Sequence, residues 1–356
     1  LLARRRLALG VQAQGQVEDV GGQLLYVNTA TRWTWFAALG RTPVRSGLVQ
    51  QGEGTAVVGG VPTRAVVQEQ AVLRTVIHTA TLGAQYPFSR TLRAELSLTG
   101  THQRRTAEVE RTILAGGRAF RDRARDVPLG TFQYATAASA LVRDDAVFGA
   151  TSPIRGTRWR LEAGQTLGEL AHATLLADVR RYLHLRPVTL AVRGFHFGRY
   201  GANADAGPLA PLSLGDGVLV RGYRADGFTP ADCTPDPTRP GVCPEQARLF
   251  GSRVAVASVE LRLPLSGMRG VSLFGGGVPL ELAPFADAGV AWTGRDGPVL
   301  AADRLLARES LGRVPVVSAG VAARLNLRAF VVELFWARPF QRAGDGMFGF
   351  NIAPGW

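Results

Sequence analysis

The stretch MFGFNIAPGW at residues 347–356 alternates between large apolar side chains and small or polar ones. Successive side chains of a β-strand point to opposite faces of the sheet, so a period of two predicts a strand. One face carries Phe348, Phe350, Ile352 and Pro354, and Trp356 follows. The terminal strand of a soluble sheet seldom ends on its largest exposed aromatic residue. The solvent that this face meets has to be decided from the rest of the chain.

The same alternation recurs along most of the chain. In residues 252–265, Val259 and Leu261 share one face, and Glu260 and Arg262 share the other. An arginine that faces lipid near the bilayer midplane costs about 2 to 4 kcal/mol, so the charged faces must point inward. This argument places ten charged residues on an interior wall: Arg93, Glu95, Arg158, Arg160, Asp178, Arg180, Arg193, Glu260, Arg262 and Glu333. A soluble β-sandwich would show bulkier buried faces and shorter strands.

The connections between the alternating segments fall into two classes. Tight turns are expected at residues 28–31, 87–90, 185–187 and 327–329, and long polar loops at 42–70, 105–130, 200–250 and 294–312. Short turns on one side and long loops on the other are typical of outer-membrane barrels. We therefore predict an all-β fold, a transmembrane antiparallel β-barrel of about 14–16 strands with long extracellular loops and short periplasmic turns. Open edges in lipid would leave backbone groups unsatisfied, so the strands should close into a ring, with Trp356 at the interfacial aromatic girdle.

Composition narrows the classes of function. The chain has 356 residues, is 46% hydrophobic and has a mean hydropathy of +0.06. Its apolar runs are too short for a transmembrane helix. The net charge of +13 comes from arginines alone, and they recur singly rather than in clusters with aromatic residues, which argues against nucleic acid as a partner. The sequence contains no lysine, which excludes a P-loop lysine and a lysine that forms a Schiff base with a substrate.

The two cysteines, Cys233 and Cys243, lie in the proline-rich stretch CTPDPTRPGVC. Their closeness, without metal-type spacing or a partner histidine, predicts a disulfide in an oxidising compartment. The alternative is two free thiols in a mobile loop. The segment LLARRRLALG is not a signal peptide, so we expect further sequence upstream of residue 1.

Catalytic chemistry finds little support in the sequence. No GxSxG, HExxH or CxxC pattern occurs, and the five histidines lack the spacing of metal ligands. His172, Asp178, Ser258 and Glu260 are predicted to face inward, where any barrel carries polar residues. We therefore expect no catalytic residue, metal or cofactor. The interior arginines either bias passage towards anions or interlock with residues such as Glu162, and the sequence leaves both readings open.

Two motifs and the closing strand resemble one family of barrels. The stretch Val220-Arg221-Gly222-Tyr223 is similar to the sixth-loop motif of the BamA/TamA-like outer-membrane assembly and translocation superfamily, the bacterial surface antigen barrels. Phe285-Ala286-Asp287-Ala288-Gly289 looks like the second motif of that family. The strand with Phe348, Phe350, Ile352 and Trp356 resembles its assembly signal. A branch with an upstream periplasmic β-propeller is a candidate within the family.

The resemblance implies a loop that folds back into the barrel, so that Arg221 reaches Asp287 on the inner wall. The alternative is an arginine that is simply hydrated. The family barrel has sixteen strands and carries POTRA domains, so residues 1–356 are expected to be one barrel domain whose first one or two strands and periplasmic domains lie upstream.

The implied function is insertion, assembly or translocation of proteins or lipids at the bacterial outer membrane, through a weak seam between the first and last strands. Expected partners are outer-membrane lipids and lipopolysaccharide, unfolded outer-membrane or secreted clients, and periplasmic or lipoprotein partners. The alternatives are a passive anion-biased pore, an anchor for a periplasmic domain, or a soluble β-rich binding module.

Overall fold

The computed structural model describes residues 4–13, 20–58, 61–115, 118–215, 219–224, 227–234, 243–265, 279–300, 312–327, 330–342 and 344–354. Strands dominate these residues, as the alternation predicts. No helix in this described part of the chain is long and apolar enough to cross a membrane.

The strands are β1 Arg5–Ala13, β2 Val20–Asn28, β3 Thr34–Val58, β4 Val61–Pro87, β5 Leu92–Ala115, β6 Arg118–Asp144, β7 Val147–Phe148, β8 Pro153–Gly168, β9 His172–Leu185, β10 Val188–Tyr200, β11 Leu212–Ser213, β12 Phe250–Gly251, β13 Arg253–Pro264, β14 Leu280–Trp292, β15 Val316–Asn326, β16 Phe330–Pro339 and β17 Met347–Pro354. A 3₁₀ turn spans Pro230–Asp232, and one short helix, α1, spans Pro244–Ala247.

One antiparallel sheet contains most of the strands. Its order is β1-β2-β3-β4-β5-β6-β8-β9-β10-β13-β14-β15-β16-β17, with β7 paired to β8, while β11 and β12 form a separate two-stranded sheet. Apart from the β10–β13 step, neighbours in the sheet are near neighbours in the chain, the hairpin arrangement typical of up-and-down barrels. Within the described residues this path contains fourteen strands, in agreement with the predicted number. Closure of the sheet into a ring stays a prediction.

The predicted faces are confirmed. On β13, Val259 and Leu261 are exposed, whereas Val254 and Val256 are buried. On β16, Leu334 is exposed while its neighbour Phe335 is buried. An exposed face of leucines and valines opposite a face of charged residues is the arrangement that suits lipid outside and a polar interior.

The positions of the turns and loops between the strands agree only partly with the prediction. The tight turns at 28–31, 87–90 and 185–187 fall between consecutive strands, and the described parts of 200–250 and 294–312 lie in long connections. Residues 328–329 of the fourth turn and residues 216–218, 225–226, 235–242 and 301–311 of these connections lie outside the described residues. The prediction of loops at 42–70 and 105–130 is wrong, because β3 pairs with β4 from Thr34–Gln85 up to Val58–Val61 and β5 and β6 are equally long. These hairpins exceed the roughly 25 Å apolar band of a membrane, so their outer parts are polar and still paired.

The chain divides into two compact units. The first comprises residues 1–86, 96–137 and 166–170, and the second comprises 87–95, 138–165 and 171–356. Threonine pairs line the first unit: Thr81 with Thr99 at 3.0 Å and Thr136 with Thr166 at 2.9 Å between hydroxyl oxygens. The second unit has a packed apolar core, formed by Leu214, Val220, Tyr223, Leu249, Val254, Val256, Ala291 and Val316. Four of these residues come from the β10–β13 connection, so this loop fills the interior of the second unit.

Candidate functional site: a loop held on the inner wall

The connection between β10 and β13 carries the segment Val220–Tyr223 into the interior. Val220, Arg221 and Tyr223 are each at most 6% exposed. Gly222 has a φ of +91°, in the left-handed region that favours glycine. A Cβ on Gly222 would also lie 3.2 Å from the Cβ of Ala337. The backbone of this segment therefore requires glycine both for its conformation and for space.

Arg221 forms a two-point pair with Asp287 of β14. Its Nε donates to Oδ2 at 2.8 Å and its Nη2 donates to Oδ1 at 2.9 Å. The backbone N–H of Arg221 lies 3.3 Å from the same Oδ2. A planar guanidinium matches a carboxylate in this geometry, and a fixed orientation follows from the match. The structure thus brings the two residues together, as the resemblance implied.

The two other residues of the β14 motif shape the same surface. Phe285, Asp287 and Gly289 alternate along the strand, so they share its inner face. The guanidinium carbon of Arg221 lies 3.5 Å from the ring centroid of Phe285, a cation–π arrangement. A Cβ on Gly289 would lie 2.6 Å from Cγ2 of Val220. The alternate residues of the motif therefore contact the loop in three ways: Phe285 packs its ring on Arg221, Asp287 pairs with Arg221, and Gly289 leaves space for Val220.

A second arginine, Arg324 of β15, joins the carboxylates around this pair. Arg221 Nη1 lies 2.9 Å from Glu260, and Arg324 Nη2 lies 2.8 Å from that same carboxylate. Arg324 also donates to Glu333 at 2.6 Å and to Glu281 at 3.1 Å. The sequence analysis did not predict Arg324 or Glu281 as interior residues. Both alternate with apolar neighbours, on β15 and β14, and this alternation would have placed them on the inner face.

The buried Tyr223 anchors the loop at a second point. Its hydroxyl donates to the carbonyl of Val317 at 3.0 Å and is also hydrogen-bonded to the side chain of Gln341. Gln341 in turn accepts from the Val317 N–H at 2.9 Å and donates to the Pro315 carbonyl at 3.3 Å. Burial raises the pKa of Tyr223 to about 12, so the hydroxyl stays protonated. Gln341 is fully buried in the connection between β16 and β17, and no local spacing in the sequence marked it.

Arg342, the next residue, holds a third point of the loop. Its Nη2 donates to the Gly227 carbonyl and lies 3.2 Å from Asp232. Its guanidinium carbon is 4.3 Å from the ring centroid of Phe228. Burial raises the pKa of Asp232, but hydrogen bonds from Thr229 and the pair with Arg342 outweigh burial and lower the pKa to about 2. The hairpin of β16 and β17 is therefore tied to the loop through two consecutive side chains.

The remaining predicted interior charges are paired on the wall. Arg160 lies 2.6 Å from Glu95 and 2.5 Å from Glu162, and Arg93 lies 2.7 Å from Glu95. The other ion pairs of this wall are Asp178 with Arg180 at 2.6 Å and with Arg193 at 3.1 Å, Arg158 with Asp144 at 3.3 Å, and Arg262 with Glu260 at 2.8 Å. A cavity of about 420 Å³ lies beside Arg221, bordered by Arg158, Arg180, Arg193, Arg262 and Asn351.

The cysteines form the predicted disulfide, Cys233–Cys243, with a Cα–Cα distance of 5.0 Å. Glu245, in the first turn of α1, accepts from the Thr234 N–H at 3.0 Å and fixes the same part of the loop. Both cysteines also lie close to the Glu245 carboxylate. A disulfide leaves no thiolate to bind a metal, so this cluster is a structural staple.

The closing strand β17 turns its apolar residues outward. Phe348, Phe350 and Ile352 are 83%, 66% and 63% exposed. On the opposite face, Asn351 donates to Glu333 at 3.0 Å. Trp356, the last residue of the predicted signal, lies outside the described residues.

The four polar residues that were considered for catalysis, His172, Asp178, Ser258 and Glu260, make contacts with neighbouring strand residues. Asp178 and Glu260 accept from arginines, and Ser258 lies opposite Asp287 in the ladder between β13 and β14. His172 is buried where β9 begins, and its carbonyl accepts from Gln165 at 3.3 Å. These contacts connect the four residues to their neighbours on the wall.

A lipid-facing antiparallel sheet with a charged interior and an inserted loop defines an outer-membrane β-barrel. The sequence profile of the Omp85 superfamily domain matches residues 73–353, which is more than half of the chain. The protein therefore belongs to the Omp85 superfamily, as the resemblance indicated, and to the outer membrane. Membership links it, at a general level, to protein assembly or translocation there. No curated protein matches the chain.

A solved structure shows the same fold. The chain is similar to BamA from Haemophilus ducreyi lacking POTRA domains 1–3, with 13% identity, a TM-score of 0.56, and coverage of 98% of this chain and 70% of that one. It also matches CdiB from Acinetobacter baumannii, with 12% identity, a TM-score of 0.45, and coverage of 99% and 60%.

Proposed function

We propose that this protein is a non-enzymatic barrel that inserts, assembles or translocates protein clients at the outer membrane, and that residues 220–223 are the latch that holds its inserted loop. The observation that carries the proposal is the two-point pair of Arg221 with Asp287 over the ring of Phe285.

The charges around the cavity support an interlocked interior rather than an anion pore. Six arginines border the cavity: Arg158, Arg180, Arg193, Arg221, Arg262 and Arg324. Each forms an ion pair with at least one carboxylate of Asp144, Asp178, Glu260, Glu281, Asp287 and Glu333. Arginines that are held in ion pairs support an interlocked interior.

In this proposal, the latch stabilises the closed barrel and a client enters beside β17. The outward aromatic residues of β17 meet lipid, while the hairpin of β16 and β17 is tied to the loop through Gln341 and Arg342. Movement of this hairpin would therefore disturb the loop. We also propose one barrel domain for residues 1–356, with client delivery by sequence upstream and with periplasmic or lipoprotein partners.

The test uses the native full-length protein in phospholipid vesicles. Folding of an added unfolded outer-membrane barrel is followed by gel mobility, and conductance is recorded from the same preparation. We expect faster client folding and small, unsteady conductance. A large, steady, anion-selective conductance without faster folding would favour the pore.

A further inference from the structure

Arg248, the residue that follows α1, carries a buried guanidinium without a counter-ion. The residue is 6% exposed. Its Nη2 donates to the carbonyl of Gln341 at 3.4 Å, which is a long hydrogen bond. In the described part of the chain, its Nε and Nη1 have no hydrogen-bond partner, and no carboxylate forms an ion pair with it. A cation that is buried in this way costs free energy, because it has lost its hydration and gained little in return.

The acidic residue of the same helix, Glu245, is held by other contacts. Its carboxylate accepts from the Thr234 N–H at 3.0 Å and from the Thr234 hydroxyl at 2.5 Å. Burial lowers the pKa of Arg248, and the attraction of Tyr223 and Glu245 offsets this effect only in part. The cost of burying Arg248 therefore remains in the folded protein.

Arg342 provides a direct comparison in the same region. It is also buried, but its Nη2 lies 3.2 Å from the carboxylate of Asp232. Both arginines lie beside the anchor of Tyr223, since Arg248 contacts the carbonyl of Gln341 and the Gln341 side chain is hydrogen-bonded to the Tyr223 hydroxyl. One of the two buried arginines thus has a counter-ion, and the other does not.

Release of the loop would change the surroundings of Arg248. Arg248 and Tyr223 belong to the connection between β10 and β13, whereas Gln341 belongs to the connection between β16 and β17. Separation of these two connections would open the contact between Arg248 and Gln341 and let water reach the guanidinium. Hydration of Arg248 therefore favours the released loop, whereas the pair of Arg221 with Asp287 favours the held one.

We propose that Arg248 is a release element of the inserted loop. Its buried charge lowers the stability of the held position, so the loop can be displaced while the strands stay paired. An equilibrium between two states shifts only through a difference in free energy between them, and an uncompensated buried charge provides such a difference. The use of this release in client assembly rests on the proposed function, whereas the effect on the stability of the loop does not.

The experiment measures hydrogen exchange of the amides in residues 219–224 of the full-length protein in neutral detergent. Arg248→Met replaces the guanidinium with an unbranched apolar side chain. We expect about tenfold slower exchange, because the held loop no longer contains an unpaired charge and opens less often. The matched control, Arg342→Met, should exchange about fivefold faster than the unchanged protein, because Asp232 loses its cation.

Equal or faster exchange in Arg248→Met would overturn the proposal. Faster exchange of the unchanged protein after replacement of chloride by gluconate at equal ionic strength would also overturn it, because a bound anion would then be the counter-ion of Arg248. If Arg248→Met does not fold, Arg248→Gln is compared with Arg342→Gln under the same expectations. The measurement follows the loop and not client folding, so failure of this inference is distinct from failure of the proposed function.

Discussion

Val220 occupies the space that Gly289 leaves open, because a Cβ on Gly289 would lie 2.6 Å from Cγ2 of Val220. The loop can therefore approach β14 this closely at Gly289, because this residue has no side chain. Val220 is fully buried at this contact, and Arg221, the next residue, reaches Asp287 from it. The position of the loop depends on a missing side chain as much as on an ion pair.

Substitution of Gly289 by valine should displace the loop without unfolding the barrel. Overpacking a buried contact costs about 1 to 3 kcal/mol, and the loop can yield more easily than a strand. Limited proteolysis should then cut between residues 224 and 243. The matched control is Gly194→Val on β10, because a Cβ on Gly194 would have no atom within 4 Å. Equal proteolysis of the two variants would contradict the close contact.

Arg221→Ala should release the loop more strongly than Arg221→Lys. Removal of one partner of a buried ion pair costs about 3 to 5 kcal/mol, because the buried carboxylate of Asp287 loses the guanidinium that pairs with it, while Glu260 keeps Arg262 and Arg324. Lysine restores the charge but cannot form the two-point pair. The measurement is the protease sensitivity of the loop, alongside gel mobility of the unheated barrel. Unchanged loop sensitivity in Arg221→Ala would count against the latch.

Tyr223→Phe should loosen the loop by about 1 to 3 kcal/mol. The change removes the hydroxyl that serves Val317 and Gln341, and leaves their polar groups in a buried site. Hydrogen exchange of amides in residues 219–224 should rise. Tyr26→Phe is the control, because the Tyr26 ring packs against Trp35 at 5.2 Å. An identical exchange rate in Tyr223→Phe and the unchanged protein would show that the hydroxyl does not stabilise the loop.

Acid should release the part of the loop that Asp232 holds. The pKa of Asp232 is about 2 in the folded protein, below the usual value of about 4, so its contribution is complete above about pH 4. The contribution should fall as the pH drops from about 4 to 2. Asp232→Asn should remove this pH dependence and start from a looser loop at pH 7. Proteolysis with pepsin across this range measures it, and an unchanged acid response in Asp232→Asn would refute the assignment.

Sequence alone predicted the faces of the strands better than their lengths. The cost of a charge in lipid fixes which face of β13 points inward, so Glu260 and Arg262 could be assigned from alternation. No such cost applies to Gln68 or Gln70, which lie exposed on the outer part of β4. Polar residues there are compatible with a loop or with a hairpin in water, so alternation alone does not distinguish the two.

The ion pair between Arg221 and Asp287 could be predicted from two sequence motifs. The residues that hold the rest of the loop could not. Arg221 and Asp287 could be named because each belongs to a recognisable stretch. Gln341 and Arg342 act through contacts with residues more than a hundred positions away. Local spacing carries no record of such contacts, so only the folded chain reveals them.

The most direct test of the proposed function is the rate at which the full-length protein folds an unfolded barrel client in vesicles, compared between Arg221→Ala and Gly194→Val. We expect at least a fivefold slower rate for Arg221→Ala and an unchanged rate for Gly194→Val, with both barrels folded by gel mobility. Equal rates would contradict the proposal that the latched loop serves client assembly.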